Sequence, residues 1–204
     1  MSREKDIKQK IRESWFKNHK ATLTKYGDLT VLDWQNPETV CYSVRYVFDG
    51  NKMYITGDIG EALFWLTWKA DVHSFKEIST DYFMEKMKAY SNDRYDYDGD
   101  VAAEYLKDWL DERLEDMDFD TAEDKEEFLE QFDELMEDAK SCDTEDEWGH
   151  EYVNQKHDDF ITELDCDYWE WMYHIGRVTP PRILGYIVGL QMASEQLKAA
   201  EISE

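Results

Sequence analysis

Residues 40–58 read VCYSVRYVFDGNKMYITGD. On both sides of Asp49-Gly50-Asn51, apolar and aromatic residues alternate with polar ones, and a period of two is typical of β-strands. An Asp-Gly pair between two such segments indicates a hairpin, because glycine readily adopts the positive φ of tight hairpin turns. The stretch therefore predicts two antiparallel strands, Val40–Asp49 and Met53–Asp58.

The same alternation continues on both sides of this hairpin. Short segments rich in β-branched and aromatic residues are separated by Gly-Asp and Asn-Pro turns. We expect further strands at Leu23–Tyr26, Leu29–Trp34 and Ala62–Trp68. Because short turns join antiparallel neighbours, the segments together predict a small antiparallel sheet of four or five strands.

Helical periodicity replaces the alternation towards both ends of the chain. The apolar residues of Arg3–Lys17 lie on one stripe, which predicts an N-terminal helix. From Ser79 onward, apolar residues recur three or four positions apart, and Thr121 stands where a helix cap is expected. The helices predicted in this part are Asp81–Tyr90, Val101–Asp116, one that follows Thr121 and carries Phe128 to Ala139, about Glu145–Leu164, and Arg182–Ala200.

These elements predict an α+β fold with three regions. An N-terminal helix covers residues 1–20, the antiparallel sheet with one helix covers 21–90, and acidic helices followed by an apolar C-terminal helix cover 91–204. In the last helix, Gly185 and Gly189 leave a flat strip on which another backbone can pack closely. We therefore expect a homodimer contact through the helix at 183–197.

Nearly all of the net charge lies in one block. Residues 91–170 contain 32 Asp and Glu against six Lys and Arg, a net charge of −26, whereas the rest of the chain carries +1. A field of one sign repels nucleic acid and anionic membranes and attracts basic surfaces. Because solubility requires a net charge of only about 2–8 on a small domain, we expect the excess to bind a basic protein. A solvated acidic face without a partner is the alternative.

The expected contact surface lies on the acidic helices. Since apolar stripes occupy one side of each helix, the carboxylates crowd the other side, at roughly one per 3.8 Å of helix axis. A DNA strand carries one phosphate per about 3.4 Å, so this surface resembles DNA in charge spacing. The predicted partner-binding carboxylates are Glu112, Glu115, Asp116, Glu126, Glu127, Glu130, Asp133, Glu134, Glu137 and Asp138. Tyr and Trp are favoured interface anchors, and the predicted aromatic contacts are Tyr168, Trp169 and Trp171.

Signatures of catalysis and metal binding are missing from the sequence. It contains no phosphate-binding glycine loop, nucleophile elbow or zinc-protease motif. His150 and His157 are seven residues apart, about 10.5 Å along a helix, which is too far for one metal ion. We expect no catalytic, cofactor-binding or metal-binding residue, and a protein that is not an enzyme. The dipeptide His157-Asp158 resembles that of phosphohydrolase metal sites, so a metal-dependent enzyme acting on nucleotides is the alternative.

The sequence also predicts a cytoplasmic protein. Its three cysteines are odd in number and lack C-x-x-C spacing, which favours reduced thiols. The first ten residues, MSREKDIKQK, have no apolar signal region, and no apolar run approaches the 18 residues of a membrane span. We therefore expect neither secretion nor a membrane partner.

The predicted sheet resembles a domain of mobile genetic elements. The phrases that carry the resemblance are Tyr26–Val31, Asn36–Thr39, Tyr42–Val47, Asp49–Asn51 and Thr56–Phe64. They are similar to a small domain of phage and mobile-element proteins of Firmicutes, and to the accessory proteins that include the anti-CRISPR inhibitors of Cas9. The resemblance covers about residues 22–90 and assigns no functional residue.

What the resemblance implies agrees with the charge. It implies a phage- or mobile-element-encoded inhibitor of a host defence nuclease, with Cas9 as the leading candidate. The acidic helices lie outside the similar block, so their role rests on charge: we expect them to occupy a basic channel in place of DNA. No direct DNA binding is expected. An acidic dimeric scaffold or regulatory protein is a third hypothesis.

Overall fold

The structure, a computed structural model, describes residues 2–203. These residues form two compact units. The first unit contains the chain up to Arg94 and again from Pro180 onward, and the second consists of Tyr95–Thr179. The second unit is therefore an insertion in the sequence of the first.

An antiparallel sheet is the framework of the first unit. Within residues 2–203 its strands, each hydrogen-bonded to the next, are β1 (Lys20–Tyr26), β2 (Leu29–Asn36), β3 (Thr39–Asp49), β4 (Lys52–Gly57), β5 (Ala62–Trp65) and β6 (Met87–Tyr90). The predicted hairpin is confirmed, because Asp49 pairs with Lys52 and Gly50 has φ +59°. The α+β class is confirmed as well, although the sheet has one strand more than the predicted four or five.

The additional strand replaces the end of a predicted helix. Helix α2 (Thr80–Lys86) begins one residue before the predicted Asp81, with Ser79 as its cap, and it ends four residues before Tyr90. Met87 turns to extended backbone and pairs with Phe64, and both side chains are buried. The gain from pairing and burial in the sheet outweighs the strong helical preference of Met87, Lys88 and Ala89.

The remaining helices of the first unit lie at the two ends of the chain. Helix α1 (Ser2–Lys10) continues into a π-helical turn, Ile11–Trp15, which ends two residues before the predicted Lys17. A short 3₁₀ turn spans Val72–Phe75, and the long helix α7 spans Pro181–Ser203. Alternate strand residues, including Trp34, Tyr46 and Phe64, form the core with residues of α7.

Helix α7 is a core element of the first unit. Residues 183–190 are all buried, and a helix that is apolar on every side is typical of a protein interior. A Cβ at Gly185 would lie 3.0 Å from Ile59 Cδ1, and one at Gly189 would overlap the Tyr46 hydroxyl oxygen. The flat strip thus serves packing inside the unit. The predicted homodimer contact through 183–197 stays a prediction, and α7 belongs to the first unit rather than to the acidic one.

The second unit is mostly helical. Its elements are β7 (Asp96–Tyr97), α3 (Gly99–Arg113), α4 (Ala122–Ser141), α5 (Glu145–Glu147), a π-helix (Trp148–Lys156), α6 (Asp158–Leu164), two 3₁₀ turns (Tyr168–Glu170 and Met172–His174) and β8 (Arg177–Val178). Strands β7 and β8 pair with each other, so the first and last residues of the unit lie side by side.

Local sequence signals explain where these helices begin. The predicted Thr121 cap is confirmed, because Thr121 and Asp124 form a reciprocal capping box at the start of α4. For α3 the cap is Asp98, whose Oδ1 accepts a hydrogen bond from the Val101 amide at 3.1 Å. The single helix predicted at about 145–164 is divided into α5, the π-helix and α6.

The core of the second unit is separate and rich in aromatic residues. Trp148 is fully buried, and its Nε1 donates a 2.8 Å hydrogen bond to the carbonyl oxygen of Met172. Phe132 of α4 stacks on Trp109 of α3, with ring centroids 6.1 Å apart. The contact between Phe132 and Trp109 joins α4 to α3 on the core side and leaves their acidic sides outside.

Candidate acidic interface

The second unit carries the whole formal net charge of the chain. Tyr95–Thr179 contains 31 acidic and six basic residues, a net charge of −25, whereas the rest of the sequence contains 17 of each. A neutral unit and a highly acidic one are therefore joined in one chain. Because like charges repel, this arrangement costs the second unit stability.

Helix α4 shows how the sequence sorts these charges. Phe132, Leu135 and Ala139 are buried at helical spacing. The other sides of the helix carry carboxylates, so the expected division into a core side and an acidic side is present. Nine of the predicted contact carboxylates are exposed: Glu112, Glu115, Asp116, Glu126, Glu127, Glu130, Asp133, Glu134 and Glu137.

Three of these carboxylates form ion pairs with neighbouring cations. Glu134 lies 2.7 Å from Lys156 Nζ, Glu137 lies 2.9 Å from Lys140 Nζ, and Glu112 lies 3.7 Å from the Arg113 guanidinium. The other six exposed carboxylates form no ion pair with any residue between 2 and 203. They are Glu115, Asp116, Glu126, Glu127, Glu130 and Asp133. Their charge is available to a partner without the loss of an internal contact.

Asp138 differs from the other predicted contacts because it points inward. Its side chain is only 17% exposed, and Oδ2 accepts hydrogen bonds from Lys156 Nζ at 2.6 Å and from His157 Nε2 at 2.7 Å. Burial alone would raise the pKa of the Asp138 carboxyl, but these two hydrogen bonds hold it below its ordinary value. The placement of Asp138 on the contact surface is corrected: it fastens α4 to the end of the π-helix.

The predicted aromatic contacts also differ in how far their rings are exposed. Trp169 is 59% exposed and presents its ring to solvent. Tyr168 is half-buried, and its hydroxyl donates to Asp158 Oδ1 at 3.1 Å. Trp171 is also half-buried and stacks on Trp109 with a centroid separation of 5.8 Å. Only Trp169 therefore offers most of its ring as a contact.

A charged cluster that the sequence did not predict lies beside β8, near the end of the second unit, and consists of Glu145, His174 and Arg177. Arg177 donates to both oxygens of Glu145, from Nε at 2.8 Å and from Nη2 at 2.6 Å, and His174 Nδ1 lies 3.2 Å from Glu145 Oε1. Hydrogen bonding to Arg177 lowers the pKa of Glu145. No local pattern signals this pair, because the two residues are 32 positions apart. Arg177, one of the six Lys and Arg residues of the unit, is therefore paired with a carboxylate of the same unit.

The residues of the alternative metal site are engaged in other contacts. His157 is buried and bonded to Asp138, while Asp158 accepts from Tyr168. In residues 2–203 the group that could hold a metal ion is Asp165, Cys166 and Asp167, whose ligand atoms lie within 4.8 Å of one another.

Two observations weaken this group as a metal site. Asp165 Oδ1 and Oδ2 already accept hydrogen bonds from the Asp167 amide and from Trp171 Nε1. The neighbouring Cys166 and Asp167 are exposed on a loop. All three cysteines, Cys41, Cys142 and Cys166, are free thiols, as predicted.

None of the helices within the described range is both long enough and apolar enough to cross a membrane. Comparisons with protein-family models, with curated proteins and with solved structures found no match. The resemblance of residues 22–90 to phage accessory proteins stays a prediction.

Proposed function

We propose that this protein is a phage- or mobile-element-encoded inhibitor that binds the basic nucleic-acid channel of a host defence nuclease, with Cas9 as the leading candidate, in the host cytoplasm. The observation that carries the proposal is the confinement of the net charge of −25 to one folded unit. The resemblance of the sheet segment to anti-CRISPR accessory proteins supports the same partner class.

The unpaired carboxylates favour binding over solubility. A surface selected for stability alone places opposite charges three or four residues apart on a helix. On α4, Glu126, Glu127 and Glu130 instead face solvent among like charges. A basic channel would neutralise them, and the favourable interaction with the partner would offset the repulsion among these carboxylates in the free protein.

The dimensions of α4 also suit a groove that holds DNA. Its 20 residues extend about 30 Å at 1.5 Å per residue. Nine Asp and Glu lie on this helix, and one DNA strand presents about nine phosphates over the same length. The carboxylates are spread over more of the helix circumference than phosphates on one strand, so the likeness concerns charge density rather than atomic positions.

The alternative enzyme has weaker support from the arrangement of side chains. A metal site at His157-Asp158 would need both side chains to turn towards a common ion. His157 Nε2 is directed at Asp138, and Asp158 bonds to Tyr168. Recruiting them would break two existing hydrogen bonds and leave the Asp138 carboxylate with less compensation for its burial.

A reconstituted nuclease assay tests the proposal. The purified chain is titrated into guide-loaded Cas9 of Firmicutes origin, and binding and cleavage of a labelled DNA duplex are measured together. We expect both to fall in parallel, with less inhibition at 0.5 M than at 0.1 M NaCl, because salt screens charge contacts. Unchanged DNA binding and cleavage at a tenfold molar excess of the chain would contradict the proposal for Cas9.

A further inference from the structure

A ladder of aromatic rings crosses the second unit from its core to its surface. Its rings belong to Phe132, Trp109, Trp171 and Tyr105. Trp109 and Trp171 are stacked 5.8 Å apart with an angle of 19°, and Trp171 and Tyr105 are 5.7 Å apart with an angle of 36°. We call these four residues the ring ladder.

The ring ladder ends in solvent at Tyr105. Trp109 is only 6% exposed, whereas Tyr105 at the other end is 46% exposed. A half-exposed aromatic ring supported by a second ring is typical of a binding anchor, since it offers a rigid apolar face at low entropic cost. The ladder therefore brings a preorganised ring to the surface of the acidic unit.

Carboxylates border this ring. Asp108 and Glu112 follow Tyr105 at i+3 and i+7 on α3, so they lie on the same side of the helix, and both are exposed. Asp165 accepts a 3.0 Å hydrogen bond from Nε1 of Trp171, the ring next to Tyr105. An aromatic face bordered by carboxylates attracts a cation twice, through the ring quadrupole and through charge.

The ladder already binds one cation of its own chain. The Arg113 guanidinium lies over the Trp109 ring, 4.6 Å from its centroid, and its Nη1 donates to the Trp109 carbonyl oxygen at 3.4 Å. From this geometry we infer that the Tyr105 end of the ring ladder docks an arginine side chain of the basic partner. The inference rests on the proposed function, because it specifies one contact within the proposed acidic interface.

Arginine fits this place better than lysine or a nucleobase. A planar guanidinium stacks on an aromatic face while its N–H groups reach carboxylates at the edge, whereas an ammonium group is more strongly hydrated. Nucleobases also stack on exposed aromatic rings. Here the surrounding charge of −25 repels the phosphates that would accompany them.

Peptide binding to the full-length protein tests this inference. Fluorescence anisotropy measures the affinity of fluorescein-labelled nona-arginine, nona-lysine and a 20-nucleotide oligothymidine at 0.15 M NaCl. We expect nona-arginine to bind at least about fivefold more tightly than nona-lysine, and oligothymidine not to bind. Tyr105→Ala should weaken nona-arginine about five- to tenfold and nona-lysine less than about twofold.

Three further variants control for packing. Tyr105→Phe keeps the ring and should bind nona-arginine within about twofold of the wild type. Tyr105→Leu keeps apolar volume without a ring and should weaken nona-arginine binding as much as Tyr105→Ala does. If the alanine variant unfolds, the leucine variant replaces it in the test. Trp65→Ala removes a ring of the first unit that is 57% exposed, and it should leave the preference for arginine unchanged.

The outcomes separate this inference from the proposed function. Equal binding of the two peptides, together with silent Tyr105 variants, would overturn the arginine site and leave the acidic interface intact. Failure of both peptides to bind the wild type would contradict the acidic interface itself. Binding of oligothymidine that is lost in Tyr105→Ala would show the ring to be a nucleobase site and would also overturn the inference.

Discussion

His157 Nε2 lies 2.7 Å from Oδ2 of Asp138, an oxygen that also accepts a hydrogen bond from Lys156 Nζ at 2.6 Å. The carboxylates of the acidic unit are of two kinds, those with partners within the unit, such as Asp138, and those without. Asp138 and Glu145 are held by cations and fix the fold. Exposed residues such as Glu126 and Glu130 have no such contact among the described residues and form the proposed interface.

Replacing Asp138 should destabilise the second unit. Asp138→Asn removes a charge-assisted acceptor from Lys156 and His157, so we expect the free energy of unfolding at pH 7 to fall by about 1–3 kcal/mol. Urea unfolding followed by tryptophan fluorescence measures it. The matched control is Asp133→Asn on the exposed side of α4, which should change stability by no more than about 0.5 kcal/mol. Equal effects of the two variants would show that the Asp138 contacts do not stabilise the unit.

The stabilising effect of Asp138 should depend on pH with a defined sign. Its pKa is held below the ordinary value of 3.8, so folding favours the ionised form. The contribution is therefore fully present above about pH 4 to 5 and is lost as the pH falls through the lowered pKa of the folded state. The difference in unfolding free energy between wild type and Asp138→Asn should be larger at pH 6 than at pH 3. A difference that grows as the pH falls would contradict this assignment.

Salt should stabilise the protein against heat. Screening weakens the repulsion among exposed carboxylates of the second unit as the Debye length falls from about 30 Å at 0.01 M to about 3 Å at 1 M. We expect the melting temperature to rise between 0.02 and 0.5 M NaCl in differential scanning calorimetry. Neutralising Glu126, Glu127, Glu130 and Asp133 to the corresponding amides should raise it at low salt and reduce its salt dependence. A melting temperature that falls with NaCl would mean that favourable ion pairs dominate this surface.

Gly189 should be needed for packing inside the first unit. A Cβ there would overlap the Tyr46 hydroxyl, which donates a 3.0 Å hydrogen bond to the Tyr186 carbonyl of α7. We expect Gly189→Ala to lower the free energy of unfolding by about 1–3 kcal/mol. Lys198→Ala, at an exposed position of α7, is the control and should change it by no more than about 0.5 kcal/mol. If Gly189→Ala instead left stability unchanged and dissociated a dimer in analytical ultracentrifugation, α7 would be an intermolecular contact.

The parts of the fold that the sequence predicts are those set by local chemistry. Alternation around Asp49-Gly50-Asn51 predicts the hairpin because the turn and the two strands are contiguous. Thr121 predicts the start of α4 because its cap is made within three residues. In contrast, β6 depends on pairing with β5 more than 20 residues earlier, so its residues are indistinguishable from a helix end by pattern alone.

The candidate site is likewise predictable where it depends on local spacing and not where it depends on distant partners. Helical periodicity places most acidic residues on the outside, since the core side of each helix is marked by apolar residues. Periodicity wrongly places Asp138 on the outside, because its partners, Lys156 and His157, are 18 and 19 positions away on another segment. Tyr105 is exposed whereas its neighbours Leu106 and Trp109 on α3 are buried, and no local pattern in the sequence signals this difference.

The central claim is that the acidic surface of the second unit replaces DNA on a basic channel. Its most direct test is displacement of a labelled DNA duplex from guide-loaded Cas9, measured for two variants with equal changes in charge. One variant converts Glu126, Glu127, Glu130 and Asp133 of α4 to lysine. The other converts four exposed acidic residues of the first unit to lysine: Asp28, Glu38, Glu61 and Glu77.

Both variants must first melt within a few degrees of the wild type, so that lost binding is not lost folding. We expect the first-unit variant to displace DNA at about the wild-type concentration and the α4 variant to need at least about tenfold more, equivalent to about 1.4 kcal/mol of binding free energy. Wild-type displacement by the α4 variant, with loss of displacement in the first-unit variant, would contradict the account and place the contact on the first unit.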